Sequence, residues 1–258
     1  RAKLEPLLAA VRAEGHRPLV ARVAFQLGAT LARLNEHPAA VALLEEAVQV
    51  GIESRTDEAA AHAAVLLVFE LGVRLHRREA AEEVARFAEA LVARIGDGRL
   101  AAGLLLNRAL LAEDGGALAD AFALQQRAVE QFEKAAPQTP ALANALLNEA
   151  RLRVMLGQPD AKAVASRALE LFEQTRGEGH PNVGVAADVL GSLAFDAGDL
   201  DEAARQFERA KNVAREALGE NQLEVALAID SLARVALARG SNSVELIMVS
   251  LSPRGKAT

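Results

Sequence analysis

The sequence predicts an all-α fold, built as a solenoid of stacked antiparallel helical hairpins. Three observations predict it. The chain of 258 residues is 51% hydrophobic yet only 3% aromatic, with no Trp and no Tyr, and its apolar content is mostly Ala, Leu and Val. Ala and Leu are strong helix formers. Alanines recur at Ala47, Ala88, Ala128, Ala168 and Ala210, spaced 41, 40, 40 and 42 residues apart. Glycines recur at Gly116, Gly157, Gly198 and Gly240, with spacings of 41, 41 and 42. A fixed period in this range means repeats that bury their apolar faces against neighbours, since one hairpin cannot bury its own.

In chain order, residues 1–16 read as the end of a preceding helix, residues 17–240 as about five repeats plus an orphan helix, and residues 241–258 as a divergent tail. Each repeat opens with an amphipathic helix: "VARVAFQLGATLARL", "AGLLLNRALLA", "ANALLNEARLRVML", "VAADVLGSLAF" and "VALAIDSLARVAL". Their apolar residues recur in steps of three and four, which is helical period rather than strand alternation. A turn follows, as in "EDGG", "GQPD" and "AGD". The glycine slot holds Asn35 in the first repeat and His76 or Arg77 in the second. Asn tolerates the left-handed backbone such a turn wants, whereas the second repeat departs. The second helices, "PAAVALLEEAV", "ALADAFALQQRAV" and "DEAARQFERA", place small residues on the inner face for close packing. "QTP" (138–140) and "GHP" (179–181) then separate one repeat from the next, with Pro in a first turn where its missing N–H costs nothing. The fourth repeat is one residue short after Gly157.

After Gly240 the pattern fails. "SNSVELIMVSLSPRGKAT" puts Glu245 in the alanine slot and Pro253 in the later one. It reads either as an out-of-frame end or as a divergent tail covering the last helix. A bare apolar edge there would favour self-association through the C-terminal end.

The net charge is −6 and no Lys/Arg cluster stands out, so a nucleic-acid partner is not expected. There is no Cys, hence no disulfide framework, thiolate metal site or Cys nucleophile. No run approaches 18 apolar residues, so no membrane insertion is expected. The chain opens on Arg1 without a signal-type pattern, which reads as a fragment of something larger with a cytoplasmic location. "GDG" at 96–98 does not continue as G-x-G-x-x-G and reads as an inter-repeat turn. His16, His37, His62, His76 and His180 include no pair at the i, i+4 spacing of a helical zinc site. Glu45/Glu46 and Asp201/Glu202 are sequence neighbours that diverge on a helix. No catalytic residue, metal ligand or cofactor is expected.

"GEGHPNVGVAADVLGSLAFDAGDLDEAARQFERA" (177–210), followed by "GENQLEVALAIDSLARVALARG" (219–240), resembles the tetratricopeptide repeat family in its longer, kinesin-light-chain-like variety of about 42 residues. Gly177, His180, Pro181 and Val183 match the opening of that pattern. Leu190 follows, with Gly191 in an alanine slot, and Gly198, Ala203, Phe207 and Ala210 complete it with Phe for Tyr. The resemblance implies a right-handed superhelix that holds a peptide or partner segment in its concave groove. It also implies a peptide-binding slot nine residues before each turn position, occupied here by Gln26, Asn107, Asn148 and Ser231, with Leu67 and Val189 in the other repeats. Carboxamides there offer both donor and acceptor to an extended backbone. Arg22, Asn144, Arg151 and Arg234, one turn to either side, would share that stripe. "RAKLEPLLAAVRAEGHRPLVARVAFQLGATLARL" (1–34), followed by such repeats, is also similar to the C-terminal repeat region of large bacterial serine/threonine protein kinases. That likeness implies a regulatory region whose catalytic domain lies outside this chain, which carries no H-R-D, D-F-G or V-A-I-K motif.

Overall fold

A computed structural model describes residues 1–240; the tail at 241–258, with both readings of it, lies outside the described residues. Among the described residues all regular structure is helical, 12 α-helices and one π-helical turn. The all-α expectation therefore holds. Contacts gather into two modules, 1–137 and 138–258, divided at the "QTP" stretch.

In the N-terminal module α1 (Leu4–Ala13) lies on α2 (Arg17–Arg33), which pairs with α3 (His37–Glu53). Next, α4 (Asp57–Phe69), prolonged by a π-helical turn (Glu70–Arg74), pairs with α5 (Arg78–Ile95), and α6 (Gly98–Asp114) pairs with α7 (Leu118–Ala135). In the C-terminal module α8 (Pro140–Met155) pairs with α9 (Ala161–Arg176) and α10 (Pro181–Asp196) with α11 (Leu200–Leu218); α12 (Leu223–Ala238) packs on α11.

Side-chain caps open α2, α6, α8, α10 and α11. His16 Nδ1 accepts from the Leu19 N–H at 3.3 Å and His180 Nδ1 from the Asn182 N–H at 3.2 Å, each next to a proline in the first turn. Thr139 Oγ1 does the same for Leu142, and Asp97 Oδ1 for Arg99 and Leu100. Such caps satisfy N–H groups that have no partner inside the helix. The "GDG" stretch is thus a turn, with Gly96 closing α5 and Asp97 opening α6.

Between the two helices of a repeat the chain passes through the left-handed region: Asn35 (φ 60°), His76 (53°), Gly116 (76°), Gly157 (62°) and Gly198 (79°). That conformation returns the following N–H to a carbonyl five residues back, as in Glu36→Leu31, Ala117→Ala112, Gln158→Arg153 and Asp199→Ala194. In the second repeat the corresponding bond, Arg77→Leu71, spans six. The π-helical turn absorbs the extra residue, as an i→i+5 bond does. Everything before it in α4 is displaced by one position. Leu27 and Leu190 are buried eight residues before their turn residues, whereas the matching buried leucine of α4, Leu67, stands nine before His76. Leu67 is thus a core side chain, and Leu66 is the residue that shares the slot of Gln26.

The same turn buries Glu70, whose carboxylate meets His37 Nδ1 at 2.8 Å with only 3% of its side chain exposed. The short fourth turn is absorbed differently. Asp160 enters α9 from the left-handed region (φ 68°), and Arg153 binds both Glu149 Oε1 at 2.6 Å and the Pro159 carbonyl at 3.1 Å.

Hairpin packing rests on size complementarity. A Cβ on Gly191 of α10 would lie 2.7 Å from two ring carbons of Phe207 on α11, and one on Gly28 would lie 3.0 Å from Leu44 Cγ. The missing methyl groups admit the two large side chains, and Phe207 is almost fully buried as a result. In the second repeat the same register, displaced by one, places Val68 in the glycine slot and Ala85 in the partner slot, and both are buried in one core cluster.

Candidate functional site

Within each module the first helices of successive repeats lie side by side, α2 beside α4 and α4 beside α6, then α8 beside α10 and α10 beside α12. Their outward stripes are the candidate binding faces.

On the N-terminal module Gln26 and Arg22 of α2 are exposed. Asn107 of α6 is half-buried, and its Nδ2 donates to the Val65 carbonyl of α4 at 2.8 Å. One amide donor of Asn107 therefore ties two neighbouring helices together and is not open to a ligand. With Leu67 in the core, this module presents an interrupted polar stripe.

The C-terminal module gathers more. On α8, Asn144 and Arg151 are exposed and Asn148 is half-buried between them. Asn144 Oδ1 accepts from Asn182 Nδ2 at the start of α10, at 3.4 Å. On α12, Ser231 is half-buried and Arg234 exposed. The Arg234 guanidinium lies over the Phe195 ring of α10, 4.9 Å from its centroid, a cation–π contact that fixes its position. Val189 fills the slot in α10 with a half-buried aliphatic side chain.

Sequence reasoning missed Asp188 of α10. Its carboxyl is pushed up by burial, and the nearby Arg234 charge pulls it back in part. It has no hydrogen-bond or ion-pair partner among the described residues. The signal was present: a single acid inside "VAADVLGSLAF", next to the Val189 slot. Asp188 lines a cleft of about 430 Å³ formed by α10, α11 and α12. Nothing here arranges a nucleophile beside a base. The chemistry on offer is hydrogen bonding, charge and apolar contact.

Among the described residues no helix is long and apolar enough to cross a membrane. Tetratricopeptide repeat family models match residues 21–53 and 159–216. No curated protein matches the chain. Among solved structures, BtubC (BKLC) from P. vanneervenii is 20% identical with a TM-score of 0.65, over 95% of this chain and 96% of that one. A Podosopora anserina putative kinesin light chain with nearly identical TPR-like repeats is 16% identical with a TM-score of 0.58, over 79% and 99% of the two chains. The signal transduction ATPase PH0952 from Pyrococcus horikoshii, which has a tetratricopeptide repeat sensor, is 12% identical with a TM-score of 0.69, over 96% of this chain and 43% of that one. Residues 21–53 and 159–216 thus match tetratricopeptide repeats, and the helical hairpins with their left-handed turns give the described residues the fold of such repeat solenoids.

Proposed function

We propose that the chain is a non-catalytic, cytoplasmic scaffold that holds an extended peptide or partner segment along the first helices of its repeats. Tetratricopeptide repeats serve in general as protein-interaction surfaces. The observation that carries it is the C-terminal module's stripe: Asn144, Asn148 and Arg151 on α8, then Ser231 and Arg234 on α12, with α10 between them. Amides and arginines satisfy backbone carbonyls and N–H groups without demanding one side chain, and a preformed surface lowers the ordering cost of binding. Gln26 and Asn107 hold the corresponding slots on the first helices of the N-terminal module. The test is capture from lysate by the parent chain beside an Asn144→Ala/Asn148→Ala variant of equal helicity. A protein retained by the parent and lost from the variant supports the reading; equal retention by both refutes it.

Two specific observations favour further readings. The likeness to PH0952, whose repeats are a sensor, agrees with the resemblance of the opening segment to kinase-linked repeat regions; the chain would then be the regulatory part of a longer signalling protein. Leu223, Leu227 and Leu237 on α12 are exposed, which favours self-association through the C-terminal end. Light scattering across a wide concentration range tests the second, and a constant monomer mass refutes it.

A further inference from the structure

The cleft between α10, α11 and α12 is an unusual pairing of surfaces. Its walls are aliphatic: Val185, Leu218 and Leu227 are 47%, 39% and 55% exposed, large side chains left facing water. Its polar groups include two carboxylates, Asp188 and Glu224, and no cationic residue lines it. Asp188 is half-buried and unpaired among the described residues. A desolvated carboxylate without a partner is costly and asks for one. Its nearest compensation is Arg234, which is held over the Phe195 ring.

We infer that this cleft receives a lysine or arginine side chain of the bound partner, its methylenes against Val185, Leu218 and Leu227 and its charged head between Asp188 and Glu224. The assignment rests on the peptide-holding reading above and adds the chemistry of one anchor residue. Long cationic side chains have this division, an apolar stem and a charged tip. A metal ion fits less well: no group of three or more His, Asp or Glu among the described residues could hold one, and the walls offer it no ligands. An acidic or neutral anchor would leave Asp188 as it is, half-buried and unpaired among the described residues. The acidic balance of the chain, −6, favours basic partners in the same sense.

The probes are N-acetyl-lysine methylamide and N-acetyl-norleucine methylamide, which keeps the four-carbon chain and lacks the ammonium group, titrated into the full-length isotope-labelled chain and followed by amide chemical shifts. The lysine probe is expected to shift amides around 184–188 and 224–228, with weak, saturable, salt-sensitive affinity, and the norleucine probe to bind about tenfold more weakly or less. Asp188→Asn, nearly isosteric, is expected to reduce the lysine probe to the level of norleucine. Equal shifts from both probes, or an Asp188→Asn response like the parent's, would overturn the inference. A displayed random-peptide library panned on the chain gives a separate readout. Selected peptides without basic enrichment leave the scaffold reading standing and sink the anchor. No selected peptide counts against the scaffold reading, while the probe titration still decides the cleft.

Discussion

Gly191 gives the sharpest test of how α10 and α11 are held together. Alanine there has two opposed effects. It removes backbone freedom in the middle of a helix, worth about 1 kcal/mol in favour of the variant. It also brings a Cβ to 2.7 Å from Phe207 Cδ1 and Cε1, closer than real Cβ contacts come, and to a tight 3.1 Å from Cγ. The ring is 1% exposed, so it cannot swing into solvent, and the helices must part or the ring must leave its rotamer. Overpacking of this kind costs roughly 1–3 kcal/mol. The expected net is a loss of about 1 kcal/mol. Gly103→Ala is the control: its nearest neighbour would be Val65 Cγ1 at 3.7 Å, an ordinary contact, so only the helix gain of about 1 kcal/mol remains. Urea unfolding followed by circular dichroism gives the totals, and hydrogen exchange assigns the loss to α10 and α11, since repeat arrays need not unfold as one unit. Adding Phe207→Leu to Gly191→Ala should recover part of the loss, a coupling of about 0.5 kcal/mol or more. A Gly191→Ala protein more stable than its parent, or strict additivity with Phe207→Leu, would refute the packing argument.

The neighbouring glycines of "EDGG" should behave differently from each other. Gly116→Ala is expected to cost about 1–2 kcal/mol by thermal melting, because φ is 76° there. Gly115→Ala need only displace the tip of the Arg78 side chain, so its melting point should stay within experimental error of the parent. His37→Ala is expected to cost roughly 1.5–3 kcal/mol, since it strips the buried Glu70 carboxylate of its 2.8 Å partner; urea midpoints check this, with Glu70→Gln losing less. For Asp188 the sign follows from its raised folded pKa: ionising it in the folded state works against stability, a cost absent below the unfolded value and complete above the folded one. Asp188→Asn should therefore be more stable than the parent near neutral pH, and the advantage should vanish on acidification below the ordinary carboxylate range. An advantage independent of pH would exclude burial of the charge as its cause.

The repeat pattern was legible because it is a backbone requirement. A left-handed turn favours Gly or Asn, and a close helical hairpin favours Ala, so both leave recurrent residues at fixed spacing. The second repeat resisted reading for an equally physical reason. His76 takes φ 53° without being a residue that advertises it, and the π-helical turn at 70–74 adds one residue with no composition of its own. The displacement is visible only in which side chains are buried, so counting back from the turn assigned Leu67 to a polar slot that belongs to Leu66. The pairing of His37 with Glu70 was hidden for the same reason, because the insertion is what turns Glu70 inward.

The binding face was legible in part, and the difference lies in what polarity on a helix means. Asn107 and Asn148 look alike in sequence, yet Asn107 spends a donor on the Val65 carbonyl of the neighbouring helix. An amide in a solenoid can bond a ligand's backbone or the backbone of the next repeat, and both present the same oxygen acceptor and NH2 donor. Asp188 shows the converse. An acid among apolar residues reads as a solvated position on a helical wheel, but half-burial of Asp188 in the array takes part of its water without supplying a counter-charge within bonding distance. What distinguishes a recognition residue from a structural one in such an array is therefore unfinished bonding rather than residue type. By that criterion Asp188 is a stronger candidate than Asn107, and the contact with a partner should centre on the C-terminal module.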